Sequence, residues 1–105
     1  MSGPYYAVID ARVSDPERYA EYAKAAGPVD ERYGGEYLIR GGEFTVVEGS
    51  HFTPSRLVVI RFPSRQAFED FYASEEYQAA RALRVPASEM VWIGVEGYQP
   101  AGGGG

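Results

Sequence analysis

The chain has 105 residues, no cysteine and a net charge of -5, from ten basic and fifteen acidic side chains. These totals exclude a disulfide framework, a thiolate metal site and a thiol nucleophile, and the singly scattered arginines lack the clustered stripe that nucleic-acid backbones select. One domain is the expectation at this length, and with no signal peptide at MSGPYYAV and no apolar run near the ~18 residues of a bilayer span, the reading is a cytoplasmic protein without membrane or nucleic-acid partners.

Tyr5 to Val13 is rich in β-formers and alternates, with Tyr5, Ala7, Ile9 and Ala11 on one side and Tyr6, Val8, Asp10 and Arg12 on the other. Ser14 or Asp15 then offers an N-cap oxygen ahead of Pro16, and Tyr19, Tyr22, Ala23 and Ala26 recur at helical spacing. Gly27-Pro28 predicts a kinked or two-piece helix, resumed by Val29 and Tyr33 and stopped at Gly34-Gly35. Residues 36 to 48 read as strand on both sides of Gly41-Gly42, either as a hairpin setting Arg40 opposite Glu43 or as one strand with a glycine bulge; side-chain parity is the same for both. The polar loop GSHFTPSR leads to a third strand, LVVIRFP, at 57 to 63. Ser64 caps a helix turned inward through Ala67, Phe68, Phe71 and Tyr72, and Ser74 caps a shorter one reaching about Arg84, with Glu75 and Glu76 at its positive end. MVWIGVEGY, 90 to 98, is the last strand; residues 1–98 form one domain and the glycine-rich 99–105 a disordered tail.

This order is that of a ferredoxin-like βαββαβ α+β subunit with an antiparallel sheet. Four strands at ~4.8 Å make a sheet about 19 Å wide, and two helices of ~10 Å diameter cover only one of its faces. Alternation places Tyr5, Ala7, Ile9, Val58, Ile60, Phe62, Val91, Ile93 and Val95 under the helices. The uncovered face then carries Tyr6, Val8, Asp10, Leu57, Val59, Arg61, Met90, Trp92 and Glu96, with Leu38 and Arg40 beside them. So apolar a face calls for an occupant, the simplest being the same face of a second chain.

The segments YAVIDARVSDPERYAEY, YGGEYLIRGGEFTVVEG, LVVIRFPS and FYASEEYQAARALR, in this order and spacing, closely resemble the bacterial family known as domain of unknown function thirteen-thirty, over about residues 5 to 97. That resemblance implies a ferredoxin-like subunit whose sheet packs on its twin's in a dimeric α/β-barrel, and it implies no established activity.

Four residues of the mixed face are the candidate ligand contacts: Arg40 and Arg61, whose forks grip a carboxylate or enolate, Asp10, which can move a proton, and Trp92. They predict a small organic acid or aromatic metabolite bound or transformed in the barrel cavity. The alternative is a structural module in which the same charges only lock a homodimer. Arg40 and Glu43 read as an exposed cross-strand pair. The single histidine, His51, stands in a loop without a second ligand at metal spacing, so neither a metal nor another cofactor is expected.

Overall fold

The computed structural model describes residues 3–100. Strand β1 (Tyr5–Val13) leads into helix α1 (Pro16–Arg32), strands β2 (Glu36–Arg40) and β3 (Leu57–Phe62), helices α2 (Arg65–Ala73) and α3 (Glu75–Arg84), and strand β4 (Ser88–Glu96). The four strands form one antiparallel sheet in the order β2-β3-β1-β4. This is the ferredoxin-like α+β topology. The expected tail falls largely on residues 101–105, outside the described residues.

Each helix begins where a side-chain oxygen can cap it. Asp15 accepts from the Arg18 amide at 3.2 Å, Ser64 from Ala67 and Ser74 from Tyr77, both at 3.1 Å. Of the kinked or two-piece helix expected at Gly27-Pro28, the two-piece form is not what folds: α1 is one continuous helix with Pro28 inside it. The proline removes a single amide donor, while Tyr22, Ala26, Val29 and Asp30 stay buried along one stripe that holds the helix on the sheet.

The core lies between the helices and one sheet face, where Phe62, Phe68, Phe71, Tyr77 and Trp92 form an aromatic cluster. Phe71 and Tyr77 have ring centroids 4.5 Å apart, and Trp92 stacks on Phe71 at 6.4 Å with 20° between the planes. Trp92 therefore belongs to the helix-covered side, not to the open face assigned to it by alternation. The register explains why: Ile9 pairs with Trp92 and Ala7 with Gly94, and both β1 residues are buried under the helices. Gly94 sits there because the Tyr5 side chain occupies the place of a side chain; a Cβ on Gly94 would fall 2.5 Å from the Tyr5 hydroxyl.

Val91, Ile93 and Val95 consequently point to the open face, where they remain 57, 54 and 46 % exposed. The rule that the more apolar series faces the helices fails for β4 because its covered series, although it includes Ser88 and Glu96, brings Trp92 to the aromatic cluster and Gly94 to Tyr5. Tyr6, Val8, Leu57, Val59 and Arg61 share this open face as expected.

Two corrections concern the glycine-broken stretch. The bulge lies at Leu38, between Tyr37↔Ile60 and Ile39↔Val59, and not at Gly41-Gly42. It puts Tyr37 and Arg40, three residues apart, on the same helix-covered side. Beyond Arg40 no strand continues: β3 offers only six residues and β2 occupies its free edge. Residues 42 to 53 are instead an exposed arm.

Candidate functional site

A cleft opens between α1 and the sheet, at the end of the sheet where the arm begins and returns. Its outer part is a groove of about 720 Å³ flanked by Arg12, Tyr19, Ala23, Gly41, Ser55 and Arg56. That lies within the size range of small-molecule sites, roughly 300–1,000 Å³. Tyr19, Ala23 and Arg56 also wall a deeper recess of about 20 Å³, closed by Tyr22, Tyr37, Arg40 and Trp92. The recess has room for about one water or one ligand atom.

Arg56 directly precedes β3, so it shares the helix-covered side with Val58 and Ile60. Its guanidinium lies 5.7 Å from the Tyr19 ring centre and against Gly41, whose φ of +73° and missing side chain let the chain pass there. Its backbone is pinned from β1: Asp10 Oδ1 accepts from the Ser55 amide at 2.7 Å and the Arg56 amide at 3.1 Å. Two donors on the recess walls are buried without a hydrogen-bond partner among the described residues, Arg56 Nε and Trp92 Nε1. An unsatisfied buried donor costs about 1–3 kcal/mol, so such groups call for an occupant.

The other wall is a small polar network. Arg40 stacks on the Tyr37 ring at 4.2 Å, and the Tyr37 hydroxyl donates to Asp30 Oδ2 at 2.5 Å. Asp30 is only 2 % exposed, and burial pushes its carboxyl up to about 6 although Tyr37 and Arg40 pull it back toward the charged form. The Tyr37 hydroxyl is in turn held well above its ordinary range, first by burial and then by the neighbouring carboxylate. Below the recess, the Tyr22 and Tyr77 hydroxyls meet at 3.0 Å and Arg84 Nε donates to Tyr77 at 3.1 Å. Burial raises both tyrosines, so they stay neutral at physiological pH.

The four residues singled out from sequence do not meet at one place. Arg40 and Trp92 border the recess. Asp10 is on the open face, where its carboxylate anchors the returning arm and lines an apolar hollow with Val8, Phe52, Leu57, Val91 and Ile93. Arg61 is also on the open face, near the opposite end of β1, 4.0 Å from Glu36 in an exposed pair. Arg40 forms no ion pair with Glu43; the Leu38 bulge turns it onto Tyr37 instead. The sequence reading leaves out Arg56, although its parity with Val58 and Ile60 is legible there, and it takes Tyr19 only as a helix residue packed at regular spacing and Tyr37 only as a strand residue. Among the described residues no cluster of three or more His, Asp or Glu side chains is placed to hold a metal, and His51 is exposed. No helix among them is long and apolar enough to cross a membrane.

A family model described as "Domain of unknown function (DUF1330)" matches residues 4–98. No curated protein matches. Among solved structures, a protein of unknown function from Rhodopseudomonas palustris is similar at 23 % identity and a TM-score of 0.76, over 95 % of this chain and 86 % of that one. SnoaB, a cofactor-independent oxygenase from Streptomyces nogalater, is similar at 12 % identity and 0.67, over 94 % and 97 %. A dimeric ferredoxin-like protein of unknown function from Thermobifida fusca is similar at 11 % and 0.59, over 91 % and 92 %. At these identities the likeness establishes the fold alone.

Proposed function

The chain belongs to the DUF1330 family, and on that premise we propose that it is a cytoplasmic homodimer whose helix-to-sheet cleft binds a compact organic acid, preferably one with an aromatic ring. The observation that carries this reading is the pair of buried, unpartnered donors, Arg56 Nε and Trp92 Nε1, on the walls of one recess. A carboxylate entering from the groove meets the Arg56 fork, with Arg40 beside it, and its ring lies along Tyr19. Of the four residues chosen from sequence, Arg40 and Trp92 remain ligand contacts. Asp10 and Arg61 act on the opposite face. The dimer rests on the exposed apolar sheet face and on the Thermobifida neighbour's being dimeric.

A second reading has its own support: a recess of about 20 Å³ suits one trapped water, which would satisfy both donors and leave a purely structural module. Thermal unfolding in the presence of benzoate, 4-hydroxybenzoate, cinnamate and succinate separates the two. Ligand binding predicts a concentration-dependent rise in Tm for at least one aryl carboxylate, lost in Arg56→Ala. A flat response across the panel at millimolar concentration favours the trapped water.

A further inference from the structure

We infer that the arm, residues 42 to 53, is a second dimer-forming element beside the open sheet face, crossing to a second copy of this chain and lying on that copy's open sheet face and the outer edge of its β4. This rests on the homodimer reading above and specifies how the two copies hold together.

The arm carries Phe44, Val46 and Val47, all exposed, with Val47 at 93 %, while Phe52 at its return lines the hollow on its own open face. Its sequence Glu43-Phe44-Thr45-Val46-Val47-Glu48 has strong β-forming character and apolar side chains of both parities, as suits a strand buried on both faces. Yet among the described residues no backbone hydrogen bond involves residues 42 to 54. The same chain offers the complementary surface. Among the described residues β4 pairs only with β1, which leaves its outer edge without a partner over nine residues, and its open-face side chains Val91, Ile93 and Val95 are about half exposed. An unpaired β-prone segment and an unpaired apolar edge on one chain satisfy each other by strand addition between copies, and two-fold symmetry makes the contact twice.

Interface area points the same way. Strands averaging about seven residues at ~3.4 Å in a sheet ~19 Å wide present a face of roughly 500 Å². Two such faces bury about 1,000 Å², short of the ~1,600 Å² of a standard stable interface. Ten arm residues at ~3.3 Å each and about 10 Å across add roughly 330 Å² per subunit, which closes the gap. Face-to-face packing of the sheets alone does not.

Sedimentation velocity over nanomolar to micromolar concentrations tests the inference on the wild type, on Phe44→Asp/Val47→Asp, and on Leu83→Asp, which places one added charge on the exposed side of α3 where the arm variant carries two. Circular dichroism and urea unfolding verify each fold. The inference predicts a dimeric wild type, an unaltered Leu83→Asp dimer, and a dissociation constant for the arm variant raised at least about 30-fold, the loss expected of an interface hot spot. If the arm variant does not fold, deletion of residues 44–52 with a Gly-Ser bridge replaces it. A folded arm variant that dimerises like the wild type overturns the role of the arm and leaves the dimer standing. A monomeric wild type overturns both, and neither result bears on the ligand cleft.

Discussion

The Tyr37 hydroxyl donates to the Asp30 carboxylate at 2.5 Å, joining the bulged edge strand to the last turns of α1. Because Asp30 is buried, its folded pKa is raised to about 6 from an ordinary 3.8, so the folded state binds a proton more tightly than the unfolded chain. Its contribution to stability is then fully present below about pH 3.8 and is lost as pH rises through about 6. Asp30→Asn, which keeps an acceptor for Tyr37 without the charge, should be more stable than the wild type by on the order of 2 kcal/mol at pH 7.5. Urea unfolding from pH 4 to pH 8 should show this difference closing as the pH falls. A difference independent of pH would mean that Asp30 does not titrate there.

Removing Arg40 takes away a charge that pulls Asp30 down. In an Arg40→Gln background, the closing of the Asp30→Asn difference should therefore move to higher pH. The same urea series measures it.

Asp10 secures the return of the arm through two backbone amides. Asp10→Ala should cost about 1.5–3 kcal/mol, as expected for hydrogen bonds to a charged acceptor. It should also speed amide exchange at Ser55 and Arg56. Unaltered exchange at those two amides would contradict the anchoring role.

Gly94 leaves room for the Tyr5 side chain. Gly94→Val should lower stability by about 1–3 kcal/mol, the usual cost of overpacking. Combining it with Tyr5→Ala should cost less than the sum of the two single changes, and a double-mutant cycle reads that coupling. Strict additivity would separate the two residues.

Much of the topology is legible in the sequence because caps and periodicity are local: Ser64 and Ser74 start their helices where their hydroxyls predict. The site was less legible. Alternation sends its two sequence-chosen members, Arg40 and Trp92, to the wrong face for different reasons. Arg40 was displaced by a bulge at Leu38, and bulges depend on the partner strand's register, which no local pattern records. Trp92 was misplaced because β4 alternates a wholly apolar series with a series containing tryptophan and glycine, and apolarity alone selects the former for the core. That misreading is itself informative: an open face carrying Val91, Ile93 and Val95 is composed like an interior. The arm shows the same limit, since its strand-like sequence has no partner strand among the described residues.

Trp92 is the only tryptophan, so a ¹H–¹⁵N spectrum contains a single indole N–H resonance, reporting directly on the unpartnered Nε1. Titration with benzoate, 4-hydroxybenzoate and cinnamate is the most direct test of the cleft as a ligand site. The account predicts a saturable shift of that resonance with at least one aryl carboxylate in the wild type, and none in Arg56→Ala. An indole resonance that stays fixed across the whole panel at millimolar concentration would contradict it.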